Sequence, residues 1–154
     1  MKTLLTLLAL FGFLLADGDV KKVVIDLTTS KVSTFEKKIL KGIVAHKTHY
    51  ENSLEDLEVA VVIHGGAYRY FVKDLNNTIY KDDDALQKVY ADLQKRIQTM
   101  SDTYDVEFLM CKVGMLKNGL DKSKIADYVK IVPNSTIGLI DKQNDGYAYI
   151  PVGD

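Results

Sequence analysis

A single cysteine, Cys111, serves the whole 154-residue chain, so no disulfide can close within it. A cationic surplus is missing too. Twenty lysines and arginines stand against 21 acidic side chains, a formal charge of -1, and the basic footprint of a nucleic-acid binder is therefore absent. No Walker motif, dinucleotide fingerprint or hydrolase triad is present. His46 and His49 are three residues apart, but neither a cysteine pair nor a local carboxylate cluster accompanies them, so no metal or cofactor is expected. Internal repeats, low-complexity runs and interdomain linkers are lacking, which points to one domain.

What is present begins at the N-terminus, where Lys2 precedes an uncharged and largely apolar run over residues 3–16. The run is shorter than the roughly 20 residues of a membrane span, and Ala16-Asp17-Gly18 offers small residues at the positions a signal peptidase reads. Residues 1–18 therefore read as a secretory signal peptide cleaved after Gly18 or, as second choice, after Ala16; the competing reading is an uncleaved anchor. No cysteine follows the run to carry a lipid. The expectation is an exported, periplasmic domain over residues 19–154 with no membrane attachment after cleavage. Removing the leader takes Lys2 and Asp17 together and leaves the charge at -1. Exported proteins usually pair their cysteines, so a lone thiol is either buried and inert or exposed and chemically occupied.

Short apolar runs at residues 23–27, 59–63, 106–110, 129–132 and 147–150 read as strands, the last as an edge. Between the first two, Ser33-Thr34-Phe35-Glu36 predicts a capping box, and Phe35, Ile39, Ile43, His46 and Tyr50 predict one buried stripe. A short helix after Gly66 would bury Ala67, Tyr70, Phe71 and Leu75. Asp82, Asp83 and Asp84 suit the start of a longer helix, with Leu86, Val89, Tyr90, Leu93, Ile97 and Met100 inward. Asn118-Gly119 predicts a turn, Asp121 a cap, and Asn134 or Ser135 the cap of a last helix running through Ile140. Strands alternating with helices imply parallel pairing and right-handed crossovers, hence an α/β fold, a three-layer α/β/α sandwich.

In such sheets chemistry collects at the carboxyl ends of the strands. His64 ends the second strand and Cys111 the third, so neighbouring strands would open both onto one rim. If a helical turn begins after Cys111, its free amides and the charge of Lys112 would lower the thiol pKa; the competing reading is a small core residue. His64 could orient the thiol, accept its proton or hold a substrate anion, and Gly65 and Gly66 would let a ligand approach the backbone, unless they merely permit a tight turn. Tyr68 and Arg69 could line an anion pocket, with Arg69 the best holder of an oxidised sulfur anion. Tyr70 and Phe71 suit the core, His46 reads as packed, and His49 as solvated.

Several stretches occur together in one order: the strand at 23–27, Val61-Val62-Ile63-His64-Gly65-Gly66-Ala67, the strand ending in Cys111, and a tail with Val132-Pro133-Asn134-Ser135 and Asp145-Gly146-Tyr147-Ala148-Tyr149-Ile150. In these the chain resembles the DsrE/DsrF-like sulfur-relay family over nearly all of residues 22–151, and its single-domain exported members most. The resemblance implies a parallel five-stranded sheet, assembly as a homotrimer or homohexamer, and a cysteine carrying sulfane sulfur as a persulfide between donor and acceptor proteins. That makes a sulfurtransferase-like carrier rather than a multi-turnover enzyme. Two alternatives stay open: a small-anion or small-molecule binding module around His64, and a structural oligomer without thiol chemistry.

Overall fold

A computed structural model of the chain describes residues 20–154, so the leader expected at residues 1–18 lies outside the described residues. Five strands form one sheet: β1 (Lys21–Leu27), β2 (Leu57–Ile63), β3 (Glu107–Cys111), β4 (Val129–Val132) and β5 (Ala148–Val152). All pairings are parallel, in the order β4-β3-β2-β1-β5. Every expected strand is present. β5 starts one residue later and ends two residues later than expected, and it includes Pro151, which an edge strand tolerates because only one side of its ladder is paired.

Helix α1 (Val32–Phe35) runs through a π-helical turn, Glu36–Lys41, into α2 (Gly42–Glu51). Two expectations fail here. The capping box does not form, because α1 begins after Lys31 and Ser33 already lies inside its first turn. The carboxylate of Asp154 comes instead to the open end, accepting from the Ser30 and Lys31 amides at 3.0 and 3.3 Å and from the Thr29 and Ser30 hydroxyls at 2.5 and 2.8 Å. Led by the Thr29 hydroxyl, these donors hold its pKa down at about 2. His46 is exposed rather than packed, since the π-turn adds a residue and rotates the stripe. Leu40 and Val44 join Phe35, Ile39 and Ile43 in its place.

Helix α3 (Asp84–Asp102) is capped by Asp83, whose side chain accepts from the Leu86 amide at 3.0 Å. It buries Leu86, Tyr90, Leu93, Ile97 and Met100, while Val89 falls outside the stripe and is partly exposed. A 3-10 turn, Ala67–Tyr70, follows β2, and α4 (Lys112–Lys117) follows β3 directly. Helix α5 (Ser135–Asn144) is capped by Asn134 and runs four residues past its expected end, crossing from β4 to β5 behind the sheet.

The two faces of the sheet are unequal. In front, Phe35 stacks on Tyr70 at 4.2 Å between ring centroids and continues through Phe71 and Phe108 to Tyr128. Behind, only Val24, Ala60, Val62 and Leu109 form a separate buried cluster, with Val132, Leu139 and Tyr147 at its margin. Gly138 lets α5 lie close there, for a Cβ would stand 3.2 Å from a Val132 methyl carbon.

Candidate functional site around Cys111 and His64

Cys111 closes β3 and caps α4, so the thiol faces amides that have no partner inside the helix. The Gly114 amide donates to Sγ at 3.5 Å. Tyr68 donates its hydroxyl to the Cys111 carbonyl oxygen at 3.1 Å, beside the sulfur, and α5 begins nearby at Ser135. Burial pushes the thiol pKa up, but the donors, Gly114 and Tyr68 foremost, outweigh it and hold it below the ordinary thiol value. The expected helical turn is thus present. Its effect comes from amides and hydroxyls, while Lys112 is exposed beside a shallow groove with Met115, Lys122 and Ile131.

Access is narrow, since Cys111 is only 6% exposed. Tyr68 is buried as well and lines no open anion pocket; it seals the thiol from the front. Gly114 makes that contact possible. A Cβ at this position would stand 2.0 Å from the Tyr68 hydroxyl oxygen.

His64 follows β2, and the pairing of Ile63 with Met110 sets it beside Cys111 at the next register position, both on the back face. Its ring turns away from the thiol. Nε2 lies 2.5 Å from Oδ1 of Asp26 on β1, and Oδ2 of Asp26 accepts the Tyr149 hydroxyl from β5 at 2.7 Å. Sequence reasoning named neither Asp26 nor Tyr149. One signal was there: Asp26 is a lone carboxylate in the apolar stretch of β1 from Val23 to Leu27.

The glycines after His64 serve the turn. Gly65 has φ of +58°, a left-handed conformation that favours glycine, and a Cβ at Gly66 would stand 2.7 Å from that of Ser30. The loop at residues 28–30 fills the space that a ligand would need. Arg69 is committed too: Nη1 pairs with Asp83 at 2.8 Å, Nε donates to the Gly66 carbonyl at 3.0 Å, and the guanidinium stacks over Tyr80. His46 and His49 line a groove at the amino ends of the strands, opposite the Cys111 rim. Among the described residues no group of three or more His, Cys, Asp or Glu side chains could hold a metal ion.

A parallel sheet with a donor-ringed cysteine at its carboxyl rim defines an α/β thiol protein. The model of the DsrE/DsrF-like family matches residues 21–152, and the chain belongs to that family, which is associated with sulfur relay. It is 29% identical to an uncharacterized protein of Aquifex aeolicus over 94 residues, 56% of this chain and 41% of the relative, so it spans about two fifths of that protein's length. A solved structure of a protein of unknown function from Methanobacterium thermoautotrophicum shares the fold, with a TM-score of 0.59 at 17% identity. That match covers 85% of this chain and 98% of the other.

Proposed function

We propose that this protein is an exported sulfur carrier that holds sulfane sulfur as a persulfide on Cys111. The observation that carries the reading is the place of Cys111 at the carboxyl end of β3 and the cap of α4, where the Gly114 amide donates to its sulfur and favours the thiolate, the reactive form. The thiolate attacks the outer sulfur of a donor persulfide; the new S–S bond forms as the old one breaks, and the electron pair leaves on the donor thiolate. Delivery repeats the exchange with an acceptor thiolate, and no oxidant or reductant is consumed. The narrow opening suits a lone thiol in an oxidising compartment, where a fully exposed one would be capped.

Export rests on the apolar run at residues 3–16, and no helix among the described residues is long and apolar enough to cross a membrane. Assembly as a homotrimer or homohexamer is part of the proposal. It is supported by the exposed apolar pairs Val113 and Leu116 on α4 and Ile137 and Ile140 on α5, the two helices that begin at the thiol.

The test is intact-mass spectrometry of the folded protein before and after exposure to polysulfide, with alkylation by a small reagent across a pH series. A gain of one sulfur at Cys111 is expected, with alkylation persisting below the usual thiol pKa of about 8.5. The burial of Cys111 favours a second reading, an inert thiol in a structural oligomer. An unmodified mass, with alkylation only after unfolding, would establish that reading in place of the carrier.

A further inference from the structure

We infer that Asp26, His64 and Tyr149 form a proton-handling arm that acts on the outer sulfur of a loaded Cys111 during delivery to an acceptor thiol; the inference rests on the carrier reading. The argument starts from Asp26. A carboxylate 16% exposed in an apolar strand is costly to desolvate, and both of its oxygens are spent, one on His64 and the other on Tyr149. Such an arrangement fixes the ring. Nε2–H points to Asp26, Nδ1 has no hydrogen-bond partner among the described residues, and a positive charge arising on the imidazole is balanced on the spot.

Register supplies the second step. His64 and Cys111 each come directly after the paired residues Ile63 and Met110, so strand alternation puts them side by side on one face of neighbouring strands that lie about 4.8 Å apart. In the unloaded protein the imidazole engages β1, and the Gly114 amide donates to the Cys111 sulfur. A persulfide extends the chain by one S–S bond, about 2.05 Å beyond Sγ. The inner sulfur keeps the Gly114 amide, and in the inferred arrangement the outer sulfur stands on the His64 side of the rim.

The chemistry needs a group there. A deprotonated persulfide bears its charge on the outer sulfur and repels an incoming thiolate. His64 protonated at Nδ1 gives that proton to the outer sulfur, and the acceptor thiolate then attacks it. The acceptor–sulfur bond forms, the Sγ–S bond breaks, and the electron pair settles on Sγ, where the Gly114 amide receives it. The proton travels with the transferred sulfur, and His64 is reprotonated from water. Loading needs no such help, because there Cys111 is the nucleophile. His64 is the catalytic residue in this scheme, and Asp26 and Tyr149 are positioning residues.

A single-turnover experiment on the full chain separates the two half-reactions: polysulfide loads Cys111, excess is removed, and the loss of the added sulfur to dithiothreitol is followed by intact mass. His64→Gln should load at the wild-type rate and discharge about 100-fold more slowly, as removal of a general acid predicts. The isosteric Asp26→Asn should slow discharge while leaving loading at the wild-type rate, and Asp26→Glu should recover part of the loss, a split between the half-reactions that a purely structural role would not produce. The groups around the ring are Asp26 from β1 and, behind it, Tyr149 from β5. Unchanged discharge in His64→Gln or in Asp26→Asn overturns the inference and leaves the carrier standing. A wild-type protein that never loads overturns both.

Discussion

The front of the sheet is a continuous aromatic and aliphatic core, whereas the back holds four fully packed apolar side chains under one helix. Cys111 ends up against the larger core, sealed by Tyr68, yet its strand register turns it toward the back, beside Val132. His64, Asp26 and Tyr149 lie wholly on the thin side. Stability and chemistry are thus divided between the faces: the deep core fixes the strand ends, and the sparse face leaves room for polar groups that a full core would exclude.

The sharpest way to break that comparison is to cut each face once. Phe35 is fully buried between Tyr70 and Phe71, and Phe35→Ala should cost about 3–5 kcal/mol. Leu109→Ala, behind the sheet, should cost about 2 kcal/mol, because its cluster is small and α5 can settle into the gap. Urea midpoints at constant slope would measure both. Equal losses would mean that α5 bears as much of the fold as the front helices and that the division is false.

A smaller change probes the seam between the faces. The Cβ of Gly114→Ala would collide with the Tyr68 hydroxyl, so either the ring withdraws from Cys111 or α4 shifts. Both weaken the donors on sulfur, and the thiol pKa should rise, slowing alkylation at neutral pH. Tyr68→Phe removes the obstructing oxygen along with one hydrogen bond, at about 1 kcal/mol. Because the ring carbon Cζ would still stand 2.7 Å from the new Cβ, combining the two should recover only part of the stability lost by Gly114→Ala, without restoring the thiol. The sign follows from linkage: a thiol held below its unfolded pKa contributes stability above that unfolded value, and this is lost as pH falls through the folded one. In Gly114→Ala that contribution should shrink.

Most of this architecture is legible in residue order. Apolar runs between amphipathic stretches give every strand, and strand ends give His64 and Cys111 one rim, because parallel register is set by the same pattern that buries the strands. What was not legible is long-range. The π-turn that exposes His46 leaves no mark in spacing, and Asp154 caps a helix 123 positions earlier in the chain. Tyr68 and Arg69 read as pocket residues because their partners, the Cys111 carbonyl and Asp83, lie 43 and 14 positions away. Asp26 could have been singled out, since a charge in a covered strand demands a partner; which partner was a matter of sheet order.

Arg69 gives the smallest expected effect and the cleanest control on that last point. Its guanidinium and the Asp83 carboxylate are each about a quarter exposed, so solvent screens the pair, and Asp83 keeps its second oxygen on the Leu86 amide whether or not the arginine is present. Arg69→Gln should therefore lower stability by no more than about 1 kcal/mol, and by less as salt is raised. Loading and discharge of Cys111 should stay at wild-type rates, in contrast to the slow discharge expected of His64→Gln, because Arg69 spends its charge on the front-face helix α3 and not on the sulfur. A discharge defect in Arg69→Gln as large as that of His64→Gln would show that the anion-handling charge of the rim sits on this arginine, and would move the chemistry from the thin face to the thick one.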